Sequence, residues 1–192
     1  SPQAWWKLDD QNAITDSSGN GNTGTNNGAN NATTSVAVVP SWKIPSALTI
    51  PSVNYTTALS FNGTGDYISA SASNLPTSDY TFSAWVKLSS FGNCGILGYG
   101  DYSSTRGSNA FRFSSTELKN YWYGDDFNHT LTASEQAAIL NNWAHVAVTY
   151  DSSIGTYGQR VMYLNGNQIA TNSPTGAAAF NLQNFTIGRT RH

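Results

Sequence analysis

The chain has 192 residues, nine basic against eleven acidic, and a formal net charge of −2. Only 10% of the residues are charged, so no basic patch can neutralise a row of phosphates and we expect no nucleic-acid partner. No window of about 18 apolar residues occurs, so we expect no membrane insertion. The composition is poor in Glu and Lys and rich in Ser, Thr, Asn and Gly, which favours an all-β protein. The length fits a single domain, 1–192.

The first third of the chain mixes short apolar runs with polar loops. Ala4–Leu8 is a candidate strand, whereas 15–35 contains no apolar residue larger than Ala and is predicted to be a loop. Three prolines interrupt the following β-branched runs, so about 34–57 is predicted to be a surface insertion. Two short runs on either side of the 62–65 turn predict a hairpin.

From Tyr80 onward the pattern is that of strands. Apolar residues alternate with polar ones along Tyr80–Leu88, so one face of this strand is expected to lie in the core. Asn165 and Gly166 both tolerate positive φ and predict a type I′ hairpin. Thr132 and Glu135 have the spacing of a capping box and predict a helix over Ala133–Leu140. The other predicted strands are Gly95–Tyr99, Asn109–Ser114, Leu118–Tyr123, Asn142–Tyr150, Gln159–Asn165, Gln168–Thr171 and Phe180–Gly188. Ten or more short strands predict two packed antiparallel sheets, a jelly-roll sandwich with one short helix.

The motifs also follow one another in a recognisable order. The first is Trp6-x-Leu-Asp, followed by Asp16-Ser-Ser-Gly-Asn-Gly-Asn. Later come Phe61-x-Gly-x-x-Asp-Tyr-Ile, Phe82-Ser-Ala-Trp-Val-Lys, Trp143-Ala-His-Val-Ala-Val, Tyr163-Leu-Asn-Gly and Thr186-Ile-Gly. This order resembles the laminin-G-like domains of the concanavalin A-like lectin/glucanase jelly rolls over almost the whole chain. The resemblance implies two curved antiparallel sheets, a frequent calcium ion near the first long loop, and sugar or protein binding rather than catalysis.

The resemblance also implies a last strand after the Thr186-Ile-Gly element, whereas this chain stops at His192. We therefore expect a strand to be missing and a sheet edge to be open. Three explanations remain: the sequence is part of a longer chain, the segment Val36–Val53 fills the place, or a partner donates a strand in trans.

Glucan hydrolysis in this fold requires carboxylates on alternate positions of one strand, because the acid and the nucleophile flank one bond about 5 Å apart. Glu117 and Glu135 do not form such a run, and the neighbours Asp125 and Asp126 would face opposite sides of a strand. His145 is a single imidazole within a predicted strand. We therefore expect no enzymatic activity.

Calcium is the expected cofactor. The glycine-rich loop holding Asp16, Asn20 and Asn22 offers the carboxylate and amide oxygens that Ca²⁺ prefers. The alternative is an Asx turn that needs no metal, because Asp-Ser-Ser-Gly is a common turn sequence.

A ligand surface is expected around a cluster of tyrosines. If Trp122 lies in the core, Tyr121 and Tyr123 face outward together and can stack on a sugar ring. The expected ligand-binding residues are Tyr99, Asp101, Arg112, Tyr121, Tyr123 and Asp125. The alternative is that these rings only cover the sheet.

The sequence therefore predicts a non-catalytic, extracellular or cell-surface binding module that recognises a glycan or a surface protein, with a role in adhesion and assistance from calcium. The alternative is a structural subunit of an extracellular filament, pilus or surface layer that self-assembles by strand donation through an open sheet edge.

Overall fold

A computed structural model of the chain describes residues 2–33, 57–101 and 103–189. These residues form thirteen strands and the helix α1 (Ala133–Ile139). The strands are β1 (Thr25–Asn27), β2 (Asn30–Thr33), β3 (Thr57–Ser60), β4 (Tyr67–Ala70), β5 (Tyr80–Val86), β6 (Cys94–Gly100), β7 (Ser108–Ser114), β8 (Glu117–Tyr121), β9 (Phe127–Thr130), β10 (Ala144–Asp151), β11 (Gln159–Leu164), β12 (Asn167–Asn172) and β13 (Phe185–Ile187).

The strands form two main sheets. The seven-stranded sheet has the order β1-β4-β13-β6-β7-β8-β9, the four-stranded sheet has the order β12-β11-β10-β5, and β2 pairs with β3 in a separate ribbon. The strand pairs are antiparallel throughout. This arrangement confirms the predicted two-sheet jelly-roll sandwich with one short helix.

The core lies between the two main sheets. Val146 and Val148 of β10 are fully buried, as are Phe111 and Phe113 of β7. Because side chains alternate along a strand, the residues between these positions project from the outer faces of the sheets. The seven-stranded sheet therefore presents a second, outward face beyond the core.

Two local predictions are confirmed. The Thr132 hydroxyl accepts the Glu135 N–H, and the Glu135 carboxylate accepts the Thr132 N–H at 2.7 Å, which completes the capping box of α1. Asn165 and Gly166 have φ values of 49° and 80° and join β11 to β12.

The prediction of a loop over 15–35 is wrong in its second half, where β1 and β2 lie. The partner strands decide this, because β1 pairs with β4 and β2 pairs with β3. The amide of Asn26 donates to the carbonyls of Gln11 and Ala29, which holds the turn between the two strands. Strand propensity is a property of local sequence and does not reveal pairing with strands distant in the sequence.

Two further predictions for the N-terminal third are corrected. Ala4–Leu8 is not a strand, because it forms only a single bridge between Trp6 and Asp16. The runs on either side of the 62–65 turn do form β3 and β4, but these strands do not pair with each other. The Asn62 side-chain oxygen accepts the N–H groups of Thr64 and Gly65, and this loop carries the chain from one sheet to another.

The predicted insertion 34–57 lies outside the described residues, except that Thr57 begins β3. The predicted strand Phe180–Gly188 is shorter in the structure and comprises Phe185–Ile187. Within the described ranges, no helix is long and apolar enough to cross a membrane.

Candidate functional site

A mixed aromatic and charged surface lies on the outward face of the seven-stranded sheet. Arg112 of β7 is paired in register with Lys119 of β8, and Ala110 with Tyr121. Phe111, Phe113 and Leu118, which precede or follow these residues in the strands, are fully buried in the core. Because side chains alternate along a strand, Arg112, Lys119 and Tyr121 lie on the opposite, outward face of the sheet. We call the set Arg112, Lys119, Tyr121, Tyr123 and Asp126 the tyrosine surface.

Trp122 lies in the core, which is the condition on which the outward position of Tyr121 and Tyr123 depended. The Trp122 side chain has no exposed area, whereas 41% of Tyr123 is exposed and Tyr121 is half-buried. The indole is held inside, because its N–H donates to the Tyr80 hydroxyl at 3.1 Å and the Asn109 side-chain oxygen at 3.2 Å. The two tyrosines that flank it therefore reach the protein surface.

The charges of this surface influence one another. Burial raises the pKa of Tyr121, as do the nearby Asp126 and Tyr123, and Arg112 opposes this rise. The pKa of Asp126 is also raised, chiefly by removal of water from around its carboxyl group, although Lys119 counteracts the effect. The ammonium group of Lys119 lies 2.9 Å from a carboxylate oxygen of Glu117. Both signs of charge therefore surround the tyrosine rings.

Arg112 lies beneath the exposed side chains of the tyrosine surface and is almost fully buried. Only 5% of this residue is exposed, and its guanidinium group donates to the side-chain oxygen of Asn93 at 3.0 Å. The side chains that solvent reaches are mainly those of Tyr123 and Asp126.

Tyr99, another expected ligand residue, lies in the core. It is 3% exposed, and its hydroxyl donates to the Pro76 carbonyl at 2.6 Å. The sequence pattern placed Tyr99 on a strand but did not show that this side of β6 faces the core. The structure therefore separates Tyr99 from the tyrosine surface.

Asp125 is also buried, with 8% of its area exposed. One carboxylate oxygen accepts from Arg160 at 3.2 Å, and the other accepts both the N–H and the hydroxyl of Thr175. Its neighbour Asp126 joins the tyrosine surface in its place. Asp125 thus connects strands and loops inside the molecule.

Asp101 organises loops at the end of β6. It accepts hydrogen bonds from the side chain and N–H of Ser103 and from the amides of Asn181 and Gln183. The bonds from Ser103 and Asn181 lower the pKa of Asp101, so it stays ionised at neutral pH. The structure does not bring it into the tyrosine surface.

Lys119 and Asp126 are members of this surface that the sequence analysis missed. The signal for Lys119 was present, because it lies two residues before Tyr121 in a predicted strand and so shares its face. No sequence signal distinguishes Asp126 from Asp125, because the inward position of Asp125 comes from contacts with Arg160 and Thr175, which are distant in sequence.

The predicted calcium loop brings Asp16, Asn20 and Asn22 together around the Gln3 carbonyl. That oxygen accepts from the amide of Asn22 at 2.9 Å, from the amide of Asn20 at 3.0 Å and from the Ser18 hydroxyl at 3.2 Å. The Asn22 amide and the Ser18 hydroxyl also donate to Oδ2 of Asp16. Several oxygen-bearing groups therefore converge on one point.

Asp16 is ionised in this loop. Burial tends to raise its pKa, but hydrogen bonds from Trp5, Ser18 and Asn22 outweigh burial and hold the pKa well below its usual value. Within the described ranges, no group of three or more His, Cys, Asp and Glu side chains could hold a metal. A cation here would therefore depend on one carboxylate together with amide, hydroxyl and carbonyl oxygens.

One buried atom is compatible with such a cation. Asn22 is 1% exposed, and its side-chain oxygen has no hydrogen-bond partner among the described residues. A half-turn of this amide places that oxygen beside the Gln3 carbonyl and Asp16, where the amide nitrogen now lies, with little change in shape. Oxygen would face oxygen there, which is favourable only with a cation between them. The loop thus offers oxygen atoms of the kinds that Ca²⁺ prefers.

A comparison with models of known protein families assigns the chain to a family. A laminin G family model, described as the concanavalin A-like lectin/glucanases superfamily, matches residues 62–192. The chain belongs to this superfamily. A sequence search of curated proteins finds no match.

Solved structures share the superfamily fold. The structure described as HCR/D-Sa-GBL1/C has a TM-score of 0.63 and 16% identity, and covers 96% of this chain and 43% of its own. The binding domain of botulinum neurotoxin DC, in complex with rat synaptotagmin II, has a TM-score of 0.60, 16% identity and the same coverage. The binding domain of botulinum neurotoxin serotype D/C has a TM-score of 0.60 and 16% identity, with 94% and 41% covered. The chain spans less than half the length of these structures.

Proposed function

We propose that the chain is a non-catalytic, extracellular binding module that contacts a glycan, or a protein exposed on a cell surface, through the tyrosine surface. The observation that supports this most is the placement of Tyr121 and Tyr123 beside Lys119 and Asp126 on the outward face of the large sheet.

The chemistry of these groups suits a sugar. Aromatic rings stack on the apolar face of a pyranose, and the phenol, ammonium and carboxylate groups bond its hydroxyls. The same mixture suits a polar protein epitope, since tyrosine is enriched in protein interfaces. The neurotoxin binding domain in complex with synaptotagmin II is a protein of similar fold that contacts a protein.

The placement of the carboxylates supports a binding role over hydrolysis. All eleven acidic residues lie within the described ranges. Asp125 holds Arg160, Glu135 caps α1 and contacts His129, and Glu117 contacts Lys119. These three carboxylates therefore have structural partners, which favours a structural role for them over that of an acid or a nucleophile in hydrolysis.

The test is binding of the intact chain to a glycan array and to cells, compared with Tyr121→Ala and Tyr123→Ala. Tyr157→Ala is the matched control, because Tyr157 is 44% exposed but lies outside the tyrosine surface. We expect loss of binding in the first two variants only. Removal of cell-surface sugars by glycosidases separates the two ligands: lost binding indicates a glycan, and retained binding indicates a protein. Equal binding by all three variants would contradict the proposal.

We also propose that Ca²⁺ assists the module at the loop of Asp16, Asn20 and Asn22. The orphaned oxygen of Asn22 and the convergence of Gln3, Ser18 and Asp16 support this. Thermal melting with EDTA and then with excess CaCl₂ tests it. We expect calcium to raise the melting temperature of the parent chain and of Asn12→Ala, an exposed control, but not of Asn22→Ala. An unchanged melting temperature of the parent chain would exclude calcium.

A second candidate is the structural subunit that assembles by strand donation. It is favoured by β5, which pairs on one side only, with β10, as far as the described residues show. Mass in solution over a range of concentrations tests this candidate. An assembly that resists dilution supports it, and a stable monomer contradicts it.

A further inference from the structure

Asp126 lies opposite Tyr121 at the end of the hairpin formed by β8 and β9. Asn120 of β8 is paired in register with Phe127 of β9, so the residue after Asn120 and the residue before Phe127 face each other. Phe127 is buried, and because side chains alternate along a strand, its neighbours Asp126 and Asn128 project from the outward face of the sheet. Tyr121, Asp126 and Asn128 therefore share one face.

Asp126 and Asn128 are exposed and have no internal partners. No hydrogen bond or ion pair from the part of the chain that the structure describes reaches either side chain. Glu117, a second carboxylate on this face, is different, because the ammonium group of Lys119 lies 2.9 Å from it. One carboxylate and one amide are therefore left to bond a ligand at the tyrosine surface.

The positive charges near Asp126 are largely shielded from solvent. Arg112 is 5% exposed, and Arg160 has no exposed area. Only 19% of the Lys119 side chain is exposed, and its ammonium group already contacts Glu117. The charge that an incoming ligand meets first is therefore the negative charge of Asp126.

We therefore propose that the tyrosine surface binds uncharged saccharides and discriminates against acidic ones. A tyrosine ring stacks on the pyranose, the Asp126 carboxylate accepts hydrogen bonds from sugar hydroxyls, and the Asn128 amide both donates to and accepts from them. A uronate, sialate or sulfate group would bring a second negative charge to Asp126, where water is partly excluded, and this repulsion weakens binding. This inference rests on the function proposed above and names the class of its ligand.

The test uses the full chain on an array that carries each neutral oligosaccharide beside its sulfated and its sialylated form. We expect the neutral form to bind about two- to fivefold more tightly than the acidic form at low salt, because exposed like charges repel each other by about that much. The preference should shrink as NaCl is raised to about 0.5 M, since salt screens exposed charges.

Two variants of nearly unchanged shape separate charge from steric exclusion. Asp126→Asn removes the charge and keeps the size of the side chain, so the neutral and acidic forms should bind about equally. Asn128→Asp adds a negative charge on the same face and should widen the preference for the neutral form. Asp151→Asn is the matched control, because Asp151 is an exposed carboxylate of the other main sheet, and it should keep the preference of the parent chain.

Two results would overturn this inference while the proposed function stands. One is equal binding of neutral and acidic forms by the parent chain, with binding still lost in Tyr123→Ala. The other is an unchanged preference in Asp126→Asn, because the exclusion of acidic forms would then be steric. If the parent chain binds no glycan of the array, the inference falls together with the glycan ligand of the proposed function.

Discussion

Arg160 and Asp125 are joined across 35 residues of sequence in the interior of the sandwich. One guanidinium nitrogen of Arg160 donates to the Asp125 carbonyl at 2.9 Å, and another donates to its carboxylate at 3.2 Å. The same guanidinium group lies 4.3 Å from the centroid of the Trp122 ring. Arg160 has no exposed area, so these contacts, rather than water, stabilise its positive charge.

Replacement of Asp125 should therefore destabilise the fold. Asp125→Ala leaves the buried guanidinium without its carboxylate, and loss of one partner of a buried ion pair typically costs about 3–5 kcal/mol. Urea unfolding followed by tryptophan fluorescence measures this loss. Asp126→Ala is the matched control, because Asp126 is exposed and should change stability by less than about 0.5 kcal/mol. Similar losses in both variants would contradict the structural role of Asp125.

A second prediction concerns the buried hydrogen bonds around Tyr80. Its hydroxyl donates to the side-chain oxygen of Asn120 at 2.7 Å, and both side chains are buried. Tyr80→Phe leaves that oxygen without a donor, which should lower the free energy of unfolding by about 1–3 kcal/mol. Tyr157→Phe, at an exposed phenol, should have almost no effect. If Tyr80→Phe unfolds at the same denaturant concentration as the parent chain, the hydrogen bond contributes nothing to stability.

The long strands were predictable because one of their faces is buried. Tyr80, Phe82 and the residues at alternate positions of β10 meet in the core, and their spacing alone indicates this. The strands β1 and β2 were missed because Asn and Thr show no apolar alternation, and the partner strands supply the pairing. The position of such strands is decided by contacts distant in sequence.

The candidate site was partly predictable for the same reason. The alternation of side chains around a buried Trp122 predicts that Tyr121 and Tyr123 point outward, and the structure places them there. The inward position of Asp125 depends on Arg160, which comes much later in the chain, so no local pattern indicates it. Tyr99 lies on a strand whose burial depends on the opposite sheet.

A third prediction concerns Gly100, at the end of β6. Its φ of +93° lies in the left-handed region, and a Cβ there would collide with the backbone carbonyl of Gly107. Backbone atoms cannot move aside as a flexible side chain can, so we expect Gly100→Ala to lower the melting temperature clearly. Gly65→Ala is the control, because Gly65 has no positive φ and a Cβ there meets nothing within 4 Å. Equal melting temperatures for the two variants would show that the loop before β7 can shift.

The fourth prediction concerns stability in acid. Burial tends to raise the pKa of Asp16, but its hydrogen bonds hold the folded-state pKa below the ordinary value of 3.8. Below about pH 4 the folded state therefore binds fewer protons than the unfolded state. The contribution of ionised Asp16 to the free energy of unfolding is complete above about pH 4 and is lost as the pH falls further. Asn at this position cannot ionise, so Asp16→Asn should be less stable at pH 6 and lose less stability between pH 5 and pH 2.

Unfolding measured across this pH range, in EDTA so that no cation contributes, checks the effect of Asp16. Ser17→Ala, at an exposed position of the same loop, should keep the acid dependence of the parent chain. If Asp16→Asn shows the same decline in acid as the parent chain, other carboxylates govern the acid stability. In that case the hydrogen bonds from Trp5, Ser18 and Asn22 order the loop without lowering the acid limit of the fold.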